Sequence, residues 1–207
     1  MYPDFLVIGA QKAGTTWLHK NLQTHPRIWM PKEKELHYFD EKIKLKSGLL
    51  SRLRGTRPAD VRWRRQIKAQ IRRYPKEISR ESLSWDLKYF LGRYNDGWYA
   101  SLFEQGKGHL TGEVTPDYSI LERDMVAHVH DLMPDTKLIF MMRNPIERAW
   151  SVTEMGLRTR GRSPDQVRDR RLYRRLDWHE VGSVPHHSVD PHGQPKVSIY
   201  FMKHLSL

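Results

Sequence analysis

At 207 residues, 38% of them hydrophobic and 29% charged, with seven Trp, nine Tyr and six Phe, the chain is long enough to bury a core and is not composed like a disordered polymer. It has no cysteine, which excludes a disulfide framework and a thiolate metal site. A formal charge of +12 predicts an anionic partner: a nucleotide, a polyanionic glycan, nucleic acid or an acidic membrane surface.

The longest apolar runs, residues 5–8 and 138–142, are too short to span a bilayer, and no charged-then-apolar leader is visible. The expectation is a soluble, cytoplasmic protein.

Residues 4–8 predict a buried strand of the parallel-sheet kind. The stretch GAQKAGTT, residues 9–16, leads into a helix to about Thr24, with Thr15 or Thr16 as its cap and Pro26 beyond its end. A short strand at 28–30 precedes PKEKELHYFD, residues 31–40. Residues 42–80 hold fourteen Lys or Arg against two acids, with Ile67, Ile71 and Tyr74 at helical spacing. They predict one or two basic surface helices, part of a helical insertion over about 42–95.

Residues 98–104 predict a short helix, 109–114 a strand running into TPDY, and 121–133 an amphipathic helix ended by Pro134. Residues 137–142 predict a second buried strand, and RNPIERAWS opens another helix with Pro145 in its first turn. Trp17 and Trp150 are expected in the core. Strands alternating with helices predict an α/β fold, a three-layer α/β/α arrangement around a central parallel sheet, as a single domain over 1–207. The signal decays after Arg158. Eight arginines fall in 158–175, and 182–195 predicts a loop. His179, His186, His187 and His192 lack metal-ligand spacing and are assigned to loops. Residues 197–207 look like the start of an element.

The outline of residues 5–18 is that of a phosphate-binding loop: strand, glycine-bounded turn, helix. In nucleotide triphosphatases a lysine directly follows the second glycine, whereas here Thr15 stands there and the lysine is Lys12. Backbone N–H groups and the helix dipole at such a turn suit a phosphate. Metal-dependent phosphoryl transfer also needs an acid near the end of a neighbouring strand, but KLIFMM delivers Arg143, a cation.

With both segments in view, the chain resembles the sulfotransferases that use 3′-phosphoadenosine 5′-phosphosulfate (PAPS). FLVIGAQKAGTTWL is similar to their 5′-phosphosulfate loop, and KLIFMMRNPIERAWS to their 3′-phosphate motif. The resemblance implies donor contacts from Gln11, Lys12, Ala13, Gly14, Thr15, Thr16 and Trp17, and a 3′-phosphate clamp from Arg143 and Ser151. KELHYFD, residues 34–40, resembles a stretch of the heparan sulfate glucosaminyl 3-O-sulfotransferases and their bacterial relatives. It implies Glu35 as general base, Lys12 assisting departure of the phosphate, and His37 at the reacting centre. Lys34, His37 and Asp40, with Thr115, Pro116 and Tyr118 of GEVTPDYS, would then line the acceptor site. The family's lysine in that last motif is Val114 here, which points away from a heparan-like acceptor.

What the resemblance implies is in-line transfer of a sulfuryl group from PAPS to a hydroxyl, on a carbohydrate or other small acceptor, without a metal and leaving adenosine 3′,5′-bisphosphate (PAP). Glu35 needs a raised pKa to be an effective base. Burial, Glu33 or Asp40 would raise it, while Lys32 and Lys34 oppose. The resemblance covers about residues 4–156, with 157–207 weakly recognisable. Family members usually continue into a basic loop that closes over the nucleotide. Either that closing part is truncated here or the arginines of 158–175 replace it. Two other readings stand beside this one: an ATP-using P-loop kinase, and a basic polyanion binder without catalysis. Nucleic acid is not the expected partner.

Overall fold

The computed structural model describes residues 1–41, 49–56, 58–73, 79–159, 161 and 197–202. Tyr74, the arginines between 160 and 175 other than those positions, and the histidine-bearing stretch 179–195 lie outside the described residues.

Strand β1 (Phe5–Gly9) is central in a sheet ordered β2 (Ile28–Trp29), β3 (Leu110–Val114), β1, β4 (Lys137–Arg143), β5 (Val197–Met202). The first four run parallel, as expected, and β5 adds an antiparallel edge along β4. Strand β1 can occupy the centre because both of its faces are apolar. Its alternation feeds two cores. Phe5 and Val7 join Val114, Met141, Ala13 and Met30 on one face, backed by Leu18 and Leu22 of helix α1 (Thr15–Gln23). Leu6 turns to the other face and a larger, aromatic core. Register sets Phe5 beside Gly112 of β3, where a Cβ would lie 2.1 Å from the Phe5 ring. Only glycine fits there.

The aromatic core draws Tyr38 and Phe39 from α2 (Tyr38–Glu41), Trp63 from α4 (Pro58–Arg73), and Trp85, Tyr89 and Phe90 from α5 (Arg80–Leu91). Trp98 and Tyr99 come from α6 (Asp96–Ser101) and Val129 from α7 (Arg123–Leu132). The stretch expected as basic surface helices is thus only half superficial. Arg54 of short helix α3 (Leu49–Arg54) and Arg65, Lys68 and Arg72 of α4 are exposed, but Arg52 and Trp63 are buried, and Trp63 donates to Phe90 O at 3.2 Å. Arg64 Nη1 closes the α3–α4 turn on the carbonyls of Arg52 (2.7 Å) and Gly55 (2.6 Å). Helix α5, capped by Ser79 on the Ser82 N–H at 3.0 Å, falls within the expected helical insertion but is of balanced charge.

Trp17 and Trp150, expected in the core, are 64% and 52% exposed. Helix α1 turns Thr15, Leu18, His19 and Leu22 inward, at i, i+3, i+4 and i+7, and Trp17 lies off that stripe. Trp150 is likewise off the inward row 146, 149, 153, 157 of α8 (Pro145–Thr159). Among the described residues, no helix is long and apolar enough to cross a membrane.

Trp85 is 1% exposed, stacks on Tyr89 at 5.0 Å and donates Nε1–H to Leu102 O at 2.9 Å. Trp85→Ala removes this packing and orphans a buried carbonyl. The expected loss is about 3–5 kcal/mol of stability, read as a lower denaturant midpoint.

Candidate active site

The C-terminal ends of β1, β3 and β4 converge on one cleft, the usual place for a ligand in an open parallel sheet. After Gly9 the chain turns, with the Ala13 N–H bonded to Ala10 O at 3.2 Å, and passes through Gly14 at φ +91° into α1. That φ lies in the left-handed region, which glycine adopts without a side-chain clash. Neither Thr15 nor Thr16 is the cap. Gly14 holds that position, no side chain caps the helix, and no acid stands in its first turn. The leading N–H groups and the positive end of the dipole are therefore left for an external anion.

Lys12 sits on the same turn at φ +64°, strained for a side-chain-bearing residue. Among the described residues no carboxylate pairs with its ammonium, and Nζ lies 3.7 Å from Met155 Sδ. Across the cleft, β4 ends in Arg143. Its Nε donates to Glu147 Oε2 at 3.0 Å and its Nη1 reaches Lys12 O at 3.4 Å, tying the two motifs together. Asn144 Oδ1 accepts the Ile146 N–H at 2.9 Å, with Pro145 at the start of α8. Ser151 follows two turns on and faces the same cleft.

The cleft has a volume of about 390 Å³ and is lined on the donor side by Gln11, Lys12, Gly14, Thr15, Thr16, Arg143, Ser151 and Met155. Ala13 and Trp17 do not line it: Ala13 is packed behind the turn and Trp17 points to solvent. On the opposite side stand Lys34, Glu35, Pro116 and Asp117. Asp117 was not singled out from the sequence, although it lies in the TPDY stretch. Gln11 Nε2 donates to its Oδ1, joining the loop after β1 to that after β3.

Residues 31–37 reach the cleft because the Glu35 N–H bonds to Val114 O at 3.0 Å, at the end of β3. Glu35 and His37 have φ of +67° and +54°, so with Lys12 every positive-φ residue other than glycine falls in the site among the described residues. Backbone strain gathered in this way is typical of functional loops. Lys34 Nζ bonds the Glu35 carboxylate and His37 Nε2 lies 3.7 Å from it. His37 Nδ1 bonds Asp40 Oδ2 at 2.6 Å, with Asp117 Oδ2 at 3.8 Å. Ligand atoms of His37, Asp40 and Asp117 all lie within 4.8 Å of one another, a spacing that a cation could also bridge.

The expected raised pKa of Glu35 is reversed. His37 first, then Lys34, outweigh burial and hold the carboxyl down to about 2. The groups that set it are His37 and Lys34, not Glu33 or Asp40. His37→Asn removes the larger influence. The Glu35 carboxyl is then expected to titrate nearer its ordinary 4.5, observable by carbon-detected NMR of the side chain.

Thr115 and Tyr118, expected to touch an acceptor, are buried with their hydroxyls on Glu113. Val114 is buried in the second core, so its side chain does not reach the cleft. Among the described residues that line the cleft, Lys34 supplies the cation on this side.

A model of the sulfotransferase family matches residues 3–186. The membrane-associated sulfotransferase kil1 of Dictyostelium discoideum is 28% identical over 149 residues, 72% of this chain and 22% of that protein. Mouse carbohydrate sulfotransferase 15 is 25% identical over 72% of the chain and 26% of its own length. For human heparan sulfate glucosamine 3-O-sulfotransferase 6 the figures are 26%, 72% and 29%. A solved sulfotransferase from Alicyclobacillus acidocaldarius aligns at 27% identity over 79% of this chain and 53% of that one, with a TM-score of 0.48. The chain spans about a quarter of the length of these curated relatives. With the family model covering most of its length, the chain belongs to the sulfotransferase family.

Proposed function

We propose that this protein moves a sulfuryl group from PAPS to a hydroxyl, on a carbohydrate acceptor. The observation that carries the reading is one cleft in which Lys12, unpaired with a carboxylate among the described residues, and an uncapped helix N-terminus face Glu35, with Arg143 and Ser151 beside the loop. The residues fit a donor with two separate anionic groups. The turn and Lys12 suit the 5′-phosphosulfate, and the Arg143–Ser151 corner suits a second phosphate.

The acceptor oxygen attacks sulfur as the bond from sulfur to the bridging phosphate oxygen breaks, and that oxygen leaves with the electron pair. Glu35 receives the hydroxyl proton. Lys12 and the N–H groups of the α1 terminus stabilise the charge on the departing phosphate, the kind of contribution that is usually the largest in such a step. Lys34 and His37 aim Glu35 and would exchange contacts with it as the acceptor enters. The two carbohydrate sulfotransferases among the relatives support the acceptor class.

The test is calorimetric titration with PAP and with ATP·Mg²⁺, followed by transfer of labelled sulfate from PAPS to a panel of glycans and phenols, with and without EDTA. Tight PAP binding and transfer to a glycan that persists in EDTA are expected. Preference for ATP·Mg²⁺ overturns the donor assignment, phenol-only transfer overturns the acceptor class, and loss in EDTA overturns the metal-free step.

A further inference from the structure

Glu113 is a carboxylate at the end of β3, 1% exposed, yet it faces no cation in its hydrogen-bond shell among the described residues. Three hydroxyls donate to it instead. Tyr99 bonds Oε2, while Thr115 Oγ1 at 2.5 Å and Tyr118 at 2.8 Å bond Oε1. Burial, then the Glu113 charge, pushes both tyrosines well above their ordinary range, so they remain O–H donors at any working pH.

A buried carboxylate is costly and persists where its bonds hold something in place. One of the three donors leads to the site. The Tyr118 oxygen also accepts the Tyr38 N–H at 3.0 Å. Tyr38 directly follows His37, one of the two left-handed residues of the base loop. Its own hydroxyl bonds Asp96 Oδ1 at 2.6 Å, and its ring stacks on Tyr99 at 4.9 Å. At the other end of the loop, the Glu35 N–H rests on Val114 O, the residue after Glu113. The strained segment from Glu35 to Tyr38 is thus pinned at one end by Val114, the last residue of β3, and at the other by Tyr118 in the turn that follows, itself bonded to Glu113.

We infer that Glu113 is a positioning residue which, through Tyr118 and the Tyr38 backbone, holds the base loop in the conformation that places Glu35 against His37. It touches no substrate. This rests on the assignment of Glu35 as base for its effect on rate, but not for its effect on geometry, and the two can be tested apart.

Tyr118→Phe cuts the link while preserving ring packing and the other two donors to Glu113. Tyr99→Phe removes a donor to the same carboxylate without touching the loop, and serves as the comparison. In Tyr118→Phe, the Glu35 carboxyl is expected to titrate upward from about 2 toward 4.5 as it loses His37, seen by carbon-detected NMR on the full chain. Sulfate transfer should fall about tenfold or more in kcat, with PAP affinity unchanged to within about twofold, a split expected of groups that act only in the transition state. Tyr99→Phe should lower the unfolding midpoint and leave the Glu35 titration where it was. If Tyr118→Phe leaves that titration at its wild-type position, or both variants move it equally, Glu113 is merely structural and the inference falls. If the titration moves in Tyr118→Phe alone but kcat does not, the positioning stands and the role of Glu35 as base is what fails.

Discussion

Glu35→Gln is expected to slow sulfate transfer by about 10²–10⁴-fold, the usual worth of a general base, while PAP affinity stays within about twofold. Glutamine keeps the shape, the left-handed backbone and the N–H bond to Val114 O, so the loop need not move. What disappears is the ability to accept the acceptor's proton. The low pKa bears on how that acceptance works. A carboxyl held near 2 by His37 and Lys34 is a weak base at rest, so strength must be recovered as the acceptor displaces Lys34 and the attacking oxygen becomes acidic late in the step. Transfer in Glu35→Gln at the wild-type rate would sink the assignment.

The same shift sets a sign for pH. A depressed carboxyl pKa favours folding above its ordinary value of 4.5, and that contribution is lost as pH falls toward about 2. Because the Glu35 side chain is 38% exposed, solvent screens the pair and the stability effect is small. For activity the consequence is larger. Glu35 in the free enzyme remains ionised through the mildly acidic range, so any acid limb above about pH 4 belongs to another group.

Much of this arrangement was legible from apolar runs and punctuation. The strands at 5–9 and 137–143, the turn between glycines, and Pro145 behind Arg143 are local features whose geometry is dictated by neighbours in sequence. What remained illegible depends on partners far along the chain. Trp17 and Trp150 are apolar residues that the helix period turns outward, a fact set by which face meets the sheet. The aromatic anchors of α5 lie in a helix of balanced charge, and which of them turn inward is set by the partners that they meet in the fold. Glu113 looked like any charged residue near the end of a strand, and only the fold brings Tyr99, Thr115 and Tyr118 around it. The reversed pKa of Glu35 has the same origin. Sequence places Lys34 beside it, but only the left-handed turns at Glu35 and His37 bring the imidazole onto the carboxylate.

Lys12→Ala and Arg143→Ala should divide the donor site into its two functions. In the proposed transfer the Lys12 ammonium, unpaired with any carboxylate among the described residues, would meet the charge that grows on the leaving oxygen. Its removal is expected to cost about 10²–10³-fold in kcat, as for loss of one donor to a developing oxyanion, with a smaller effect on PAP affinity. Arg143 is different, because its guanidinium is already held by Glu147 and by the Lys12 carbonyl and, in the proposed transfer, would meet a phosphate whose charge is the same before and after. Loss of such a charge-assisted bond costs about 1.5–3 kcal/mol in both ground and transition state. Arg143→Ala should therefore weaken PAP binding by about 10–100-fold and leave kcat at saturating donor nearly unchanged. ATP lacks a 3′-phosphate, so its weak binding should be insensitive to Arg143. Equal losses for PAP and ATP in calorimetry would mean that Arg143 supports the loop through its bond to Lys12 O and contacts no second phosphate.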